Sequence, residues 1–158
     1  MKKSSTIFLQ VVIVLISIVA LFVMIRFPLT EGRAVNLDLF SIYSDPFIIY
    51  GYIAFIAFFI VLYQAFKLLG YIGQNKVFSL NSVKALRTIK YCAIILSILI
   101  VMAMLYIMMS HGDDDAAGAI AMGIVATFIS VVIATAAAVF ERTLQNAVDI
   151  KSENDLTV

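Results

Sequence analysis

The stretch YQAFKLLGYIGQNKVFSLNSVKALRTIKY, Tyr63–Tyr91, decides how this chain has to fold. It is a polar island in an apolar sequence. Lys67, Lys76, Lys84, Arg87 and Lys90 lie in it, five of the eleven basic residues in 158 positions. Apolar runs flank it on both sides, Pro46–Phe66 before and Tyr91–Met109 after. Two more lie further out, Ile7–Ile25 and Ala119–Phe140. Each has roughly the 20 residues that a helix needs to cross the hydrocarbon core of a bilayer. None contains an acid or a base.

Composition supports the same class. The chain is 63% hydrophobic and 13% charged, against roughly 45–50% and about 25% for soluble domains. A water-soluble fold of this size cannot hide that much apolar surface. The expectation is an all-α, four-helix transmembrane bundle, with residues 1–158 forming a single membrane domain. The first run resembles a signal sequence, because Met-Lys-Lys-Ser-Ser precedes it. It is longer than a usual 7–15-residue signal core and no small-x-small cleavage site follows, so a retained helix is expected. The single cysteine, Cys92, excludes an internal disulfide and reads as a small apolar filler.

Charge asymmetry orients the bundle. With four spans the amino terminus, the island and the carboxyl terminus share one side. That side carries nine basic residues; the opposite loops carry Arg26 and Arg33 alone. By the positive-inside rule both termini, the loop 67–90 and the tail 141–158 are expected in the cytoplasm of a cell-membrane, multi-pass protein. The loops 26–45 and 110–118 then lie outside.

Local signals refine the pattern. Ser44-Asp45-Pro46 reads as a cap followed by proline in the first turn of the second helix. The cluster Leu39–Tyr43 fits either an interfacial segment or a short helix packed over the bundle. Gly70 and Gly73-Gln74-Asn75 read as a turn, after which Ser79 or Asn81 caps a helix that runs on into the third span. Val83, Leu86 and Ile89, beside Lys84, Arg87 and Lys90, form a basic amphipathic segment at the membrane surface. In the fourth span Ala126, Ser130, Ala134 and Ala138 recur every four residues, with Gly123 close to the same ridge. Small residues at that spacing let another backbone approach closely in lipid. The partner of that ridge, intramolecular or a second copy, is left open by the sequence. Leu144 and Val148 imply that the helix continues past Phe140, up to a break at Asn154-Asp155.

Chemistry is sparse. A membrane enzyme or ion-coupled carrier usually places ionisable residues inside its spans, and these spans have none. No nucleophile elbow, HExxH pair, phosphate loop or CxxC motif is present, so no enzymatic activity and no cofactor are expected. His111 with Asp113, Asp114 and Asp115 is a weak candidate for a divalent metal outside the cell. Adjacent aspartates diverge, however, no second cluster supplies the missing ligands, and a solvated acidic turn is the simpler explanation. Lys76, Lys84, Arg87 and Lys90 are the candidates for capture of a cytoplasmic protein or anionic lipid headgroups, at about 1 kcal/mol for each basic residue near an anionic leaflet. They form no large basic surface, so direct nucleic-acid binding is not expected.

Several segments carry a family resemblance. Leu62–Leu69, Asn75–Ser79, Ser82–Leu86 and Ile89–Cys92, together with the ending Ala147–Val158, look like the bacterial integral membrane proteins grouped as domain of unknown function 2975. The likeness covers nearly the whole chain and is most specific in the island and the tail. It implies a four-helix membrane protein with no catalytic residues to carry over. It also implies a neighbourhood with a helix-turn-helix regulator, an association rather than a mechanism. The reading that follows is a non-enzymatic membrane component that interacts or regulates through its basic loop and tail. The alternative is a small carrier or export component, a homodimer through the Ala126–Ala138 ridge, with a water-filled cavity lined by Gln10, Ser17, Gln64, Ser97, Thr127 or Ser130.

Overall fold

A computed structural model describes residues 3–30, 38–110 and 116–156. These residues form five helices: α1 (Lys3–Thr30), α2 (Leu39–Tyr43), α3 (Pro46–Gly73), α4 (Leu80–Ser110) and α5 (Ala116–Leu156). No strand occurs among the described residues. Four of the helices are long and apolar enough to cross a membrane. Their apolar side chains stand largely exposed, with Phe8 and Phe128 both at 68% and Met122 at 77%. Exposure of that extent suits lipid as the surrounding solvent, because hydrocarbon tails impose no penalty on apolar surface.

Neighbouring helices run antiparallel. Thr6 near the start of α1 meets Gly73 at the end of α3. Tyr50 early in α3 donates a 2.6 Å hydrogen bond to the Leu99 carbonyl late in α4, and Phe47 stacks on Tyr106 at 6.0 Å. Arg87 early in α4 meets Glu141 late in α5. The helices therefore pack in series, α1 on α3, α3 on α4, α4 on α5, and the α4–α5 seam is the most extensive. Ala57, Val61, Leu86, Ile89, Leu96 and Ala137 form the core along the α3–α4–α5 seams.

The helix ends follow from local chemistry. Asp45 caps α3 by accepting the Phe47 N–H at 2.7 Å, and Pro46 occupies the first turn, where its missing N–H costs nothing. At the other end the Lys76 N–H bonds the Tyr71 carbonyl at 2.8 Å and the Asn75 N–H bonds that of Ile72 at 3.1 Å. Asn75 sits at φ 57°, so this is a Schellman closure with asparagine in the left-handed position. Ser79 then caps α4 by accepting from the Ser82 N–H.

Three expectations about boundaries are corrected. Gly70 and Gly73 are helical, and the turn begins only after them. Both glycines give α1 a close approach, since the Gln10 amide lies 3.6 Å from where a Gly70 Cβ would stand and the Thr6 methyl 3.3 Å from that of Gly73. α1 runs on through Pro28 to Thr30. α5 passes Asn154 and continues to Leu156. The Leu39–Tyr43 cluster is a short helix, with Ile42 buried and the Tyr43 hydroxyl donating to the Ile25 carbonyl at 3.1 Å.

Candidate functional site

At about 1.5 Å per residue, the 41 residues of α5 extend roughly twice the ~30 Å of a hydrocarbon core. The apolar run of α5 ends at Phe140 and that of α4 begins at Tyr91. The residues beyond these points form one end of the molecule, together with the start of α1 and the α3–α4 connection. Polar and charged groups gather there.

The centre of this end is an ion cluster. Arg87 donates through Nε to Glu141 Oε1 at 2.7 Å, and Lys90 donates through Nζ to Glu141 Oε2 at 2.6 Å. The Glu141 side chain is 10% exposed, Lys90 22% and Arg87 53%. Glu141 lies one residue past the apolar run, and the hydrogen bonds from Lys90 and then Arg87 hold its carboxyl below the usual carboxylate range. The same bond raises the Arg87 guanidinium. Lys90 also rests over the Tyr91 ring at 4.7 Å. One carboxylate thus answers two bases from the neighbouring helix at the edge of the apolar layer.

Glu141 was not singled out by the sequence reading, although a signal for it exists. The buried residues of α5 are Ser130, Ala134, Ala137 and Glu141, with half-buried Leu144 and Val148 continuing the line. Spacings of four and three alternate, which is the heptad seam of a left-handed helix pair. A ridge drawn at a constant spacing of four drifts off that seam and reaches Ala138, which is only half-buried. Drawn in heptads, the seam passes through Ala137 to Glu141.

The small residues face α4 of the same chain. Ala134 and Ser130 are buried against it, and a Cβ added at Gly123 would run into the Met104 side chain. Ala126 is half-buried on the same stretch, and its carbonyl accepts the Ser130 hydroxyl at 2.9 Å.

Of the four basic candidates, Arg87 and Lys90 are therefore committed to Glu141. Lys76 and Lys84 are exposed, and neither forms an ion pair among the described residues. Lys76 borders a second feature, a groove of about 820 Å³ between the α3–α4 connection and the far end of α5. Phe78, Ile150 and Lys151 line it as well. His111 and Asp113–Asp115 lie outside the described residues. Among the described residues no group of three or more acidic, histidine or cysteine side chains is placed to hold a metal.

Four of the six polar groups named for a carrier cavity are engaged with backbone carbonyls. Gln10 donates to the Phe66 carbonyl at 3.3 Å, while Ser17, Ser97 and Ser130 donate to carbonyls of their own helices. The large cavity at membrane depth, about 700 Å³ along α1, is lined by apolar residues such as Val12, Val19, Phe55 and Leu96.

The comparisons agree with this architecture. The family described as "Protein of unknown function (DUF2975)" matches residues 29–158. The chain belongs to this family. The DUF2975 match takes in α3, α4 and α5, with the ion cluster and the groove. Over 161 aligned residues the chain is also 45% identical to "Uncharacterized membrane protein YoaS" of Bacillus subtilis (strain 168), with the whole of both chains covered. No solved structure matches it. This DUF2975 chain is a multi-pass membrane protein with four apolar helices.

Proposed function

We propose that the protein is a non-enzymatic interaction or regulatory component of the bacterial cell membrane. In this reading both termini and the α3–α4 connection lie in the cytoplasm, and that face meets the partner. The observation that carries it is the concentration of polar structure at one end, where α5 outruns the bilayer and a groove opens beside it. The nine-to-two distribution of basic residues supports the orientation. A soluble regulator of the helix-turn-helix type is the partner that the family resemblance suggests.

The cation pattern selects the test. Arg87 and Lys90 also hold the helices together, so their loss confounds binding with packing. Lys76→Gln with Lys84→Gln removes two exposed charges and leaves the Glu141 cluster intact. The double variant is expected to keep its thermal midpoint and to lose a component that co-purifies from mildly solubilised native membranes. Identical co-purification would end the reading. A reporter fused at Asp114 tests the orientation separately; activity there confined to the cytoplasm would reverse the topology.

A further inference from the structure

The register of the α4–α5 seam carries the end of α5 past the start of α4. Met104 lies by Gly123 and Arg87 by Glu141. Continued at the same antiparallel pitch, that register sets Leu80, the first residue of α4, opposite about Val148. Beyond that point α4 has ended, and the groove lies between α5 and the α3–α4 connection, with Tyr71 from the end of α3.

The composition of this groove is unusual for a surface in water. Phe78 is 59% exposed and Ile150 61%. In the spans such exposure is met by lipid, but the groove is too far out. Ala147–Lys151 stand 7 to 11 residues beyond Phe140, about 10–16 Å along the axis. A headgroup layer adds only about 5–8 Å to each side of the hydrocarbon core. The apolar rings and branches therefore face solvent.

Among the described residues that line the groove, charge has one sign: Lys76 and Lys151 border it, and none of those residues is acidic. Of the acids near this stretch of α5, Asp149 falls at about 100° per residue on the opposite side from Ala147 and Lys151. Asp149 is further engaged there by Gln145 at 2.8 Å.

We propose that this groove docks an acidic segment of a soluble protein that also carries an apolar side chain. Its carboxylates sit over Lys76 and Lys151, and its apolar side chain lies between Phe78 and Ile150. This rests on the reading above that the polar end is the interaction face, and it specifies the chemistry of the partner. The groove's height beyond the bilayer selects a soluble protein over a lipid headgroup, and its exposed apolar residues select an amphipathic segment over a simple anion.

The experiment is photo-crosslinking of the full chain in its native membrane, with a photoreactive phenylalanine analogue at position 78. A second probe at position 142, on the far side of α5 at the same end, is the comparison. The expected result is a protein adduct at 78 whose crosslinked peptide, read by mass spectrometry, carries Asp or Glu beside apolar residues. Its yield is expected to fall about tenfold in the double variant Lys76→Glu and Lys151→Glu. An adduct with phospholipid alone, or with a basic peptide, overturns the proposal. A protein adduct at 142 but not at 78 removes the groove assignment while the interaction reading stands. No protein adduct at either position defeats both. The contrast between the two probe positions does not depend on the charge-reversed variant folding.

Discussion

Two seams in this molecule are built differently. Along α4–α5, Ser130, Ala134 and Ala137 let the backbones approach, and one buried carboxylate joins α5 to two bases of α4. Along α1–α3, the polar contacts lie at one end, where Thr6 meets Gly73 and Gln10 reaches the Phe66 carbonyl. Most of α1 is exposed apolar surface, and a wide apolar cleft separates its middle from the other helices. In lipid no hydrophobic force drives two apolar helices together, so small residues and polar contacts decide which pairs are tight. The first seam has both along its length. The second has them only at its end.

Substitutions on the two seams should therefore differ in cost. The largest effect is expected for Ala137→Leu, which adds three heavy atoms at a position 4% exposed. Overpacking of this type costs about 1–3 kcal/mol. The thermal midpoint in detergent should fall by several degrees, and a smaller loss than that of an α1 variant would erase the contrast between the seams.

Glu141→Gln should come next, at roughly 2 kcal/mol, discounted from a fully buried pair because Arg87 is half in solvent. Its pH dependence sharpens the assignment. The carboxyl is held below its ordinary value of 4.5 by Lys90 and Arg87. Its contribution is therefore fully present above pH 4.5 and is lost as pH falls through the depressed value. Midpoints of wild type and variant should differ by a constant amount at neutral pH and converge in acid. A gap that widened on acidification would contradict the ion cluster.

On the other seam, Gln10→Leu removes a single interhelical hydrogen bond. Contacts of this type in membranes average about 0.6 kcal/mol, so a shift of a degree or two is expected. Exchange protection should drop at the end of α1 before anywhere else. The smallest effect belongs to Val19→Ala, on a side chain 62% exposed. It should stay within about 0.5 kcal/mol. A loss comparable to Ala137→Leu would mean that α1 is held by contacts beyond this chain.

How far the sequence reached differs between the spans and the site. Four apolar runs without charge imply four crossing helices, because backbone groups in hydrocarbon must bond within their own segment. The caps at Asp45 and Ser79 were also open to local reading, since a capping side chain bonds a backbone N–H two or three residues away. Gly70 and Gly73 were misread as a turn because glycine has two uses. It ends helices, and it also lets another helix come close, and only the position of α1 distinguishes them. Lys84, Arg87 and Lys90 looked alike on the page. Arg87 and Lys90 reach Glu141 and Lys84 does not, a difference of position against α5 that matters only once that neighbour is in place.

The sequence by itself determined that this is an all-helical membrane chain, through composition, run length and the absence of charge within the runs. Those are local quantities, and lipid reads them locally. Tertiary structure decided that the helices pack in series, that the small-residue ridge turns to α4 of its own chain, and that Glu141 takes two of the island's five bases. The polar island of Tyr63–Tyr91 is therefore divided between holding the helices together and facing outward. The physical reason is register: the antiparallel alignment of α4 and α5 decides which charges meet, and it leaves the end of α5 with a groove beside it.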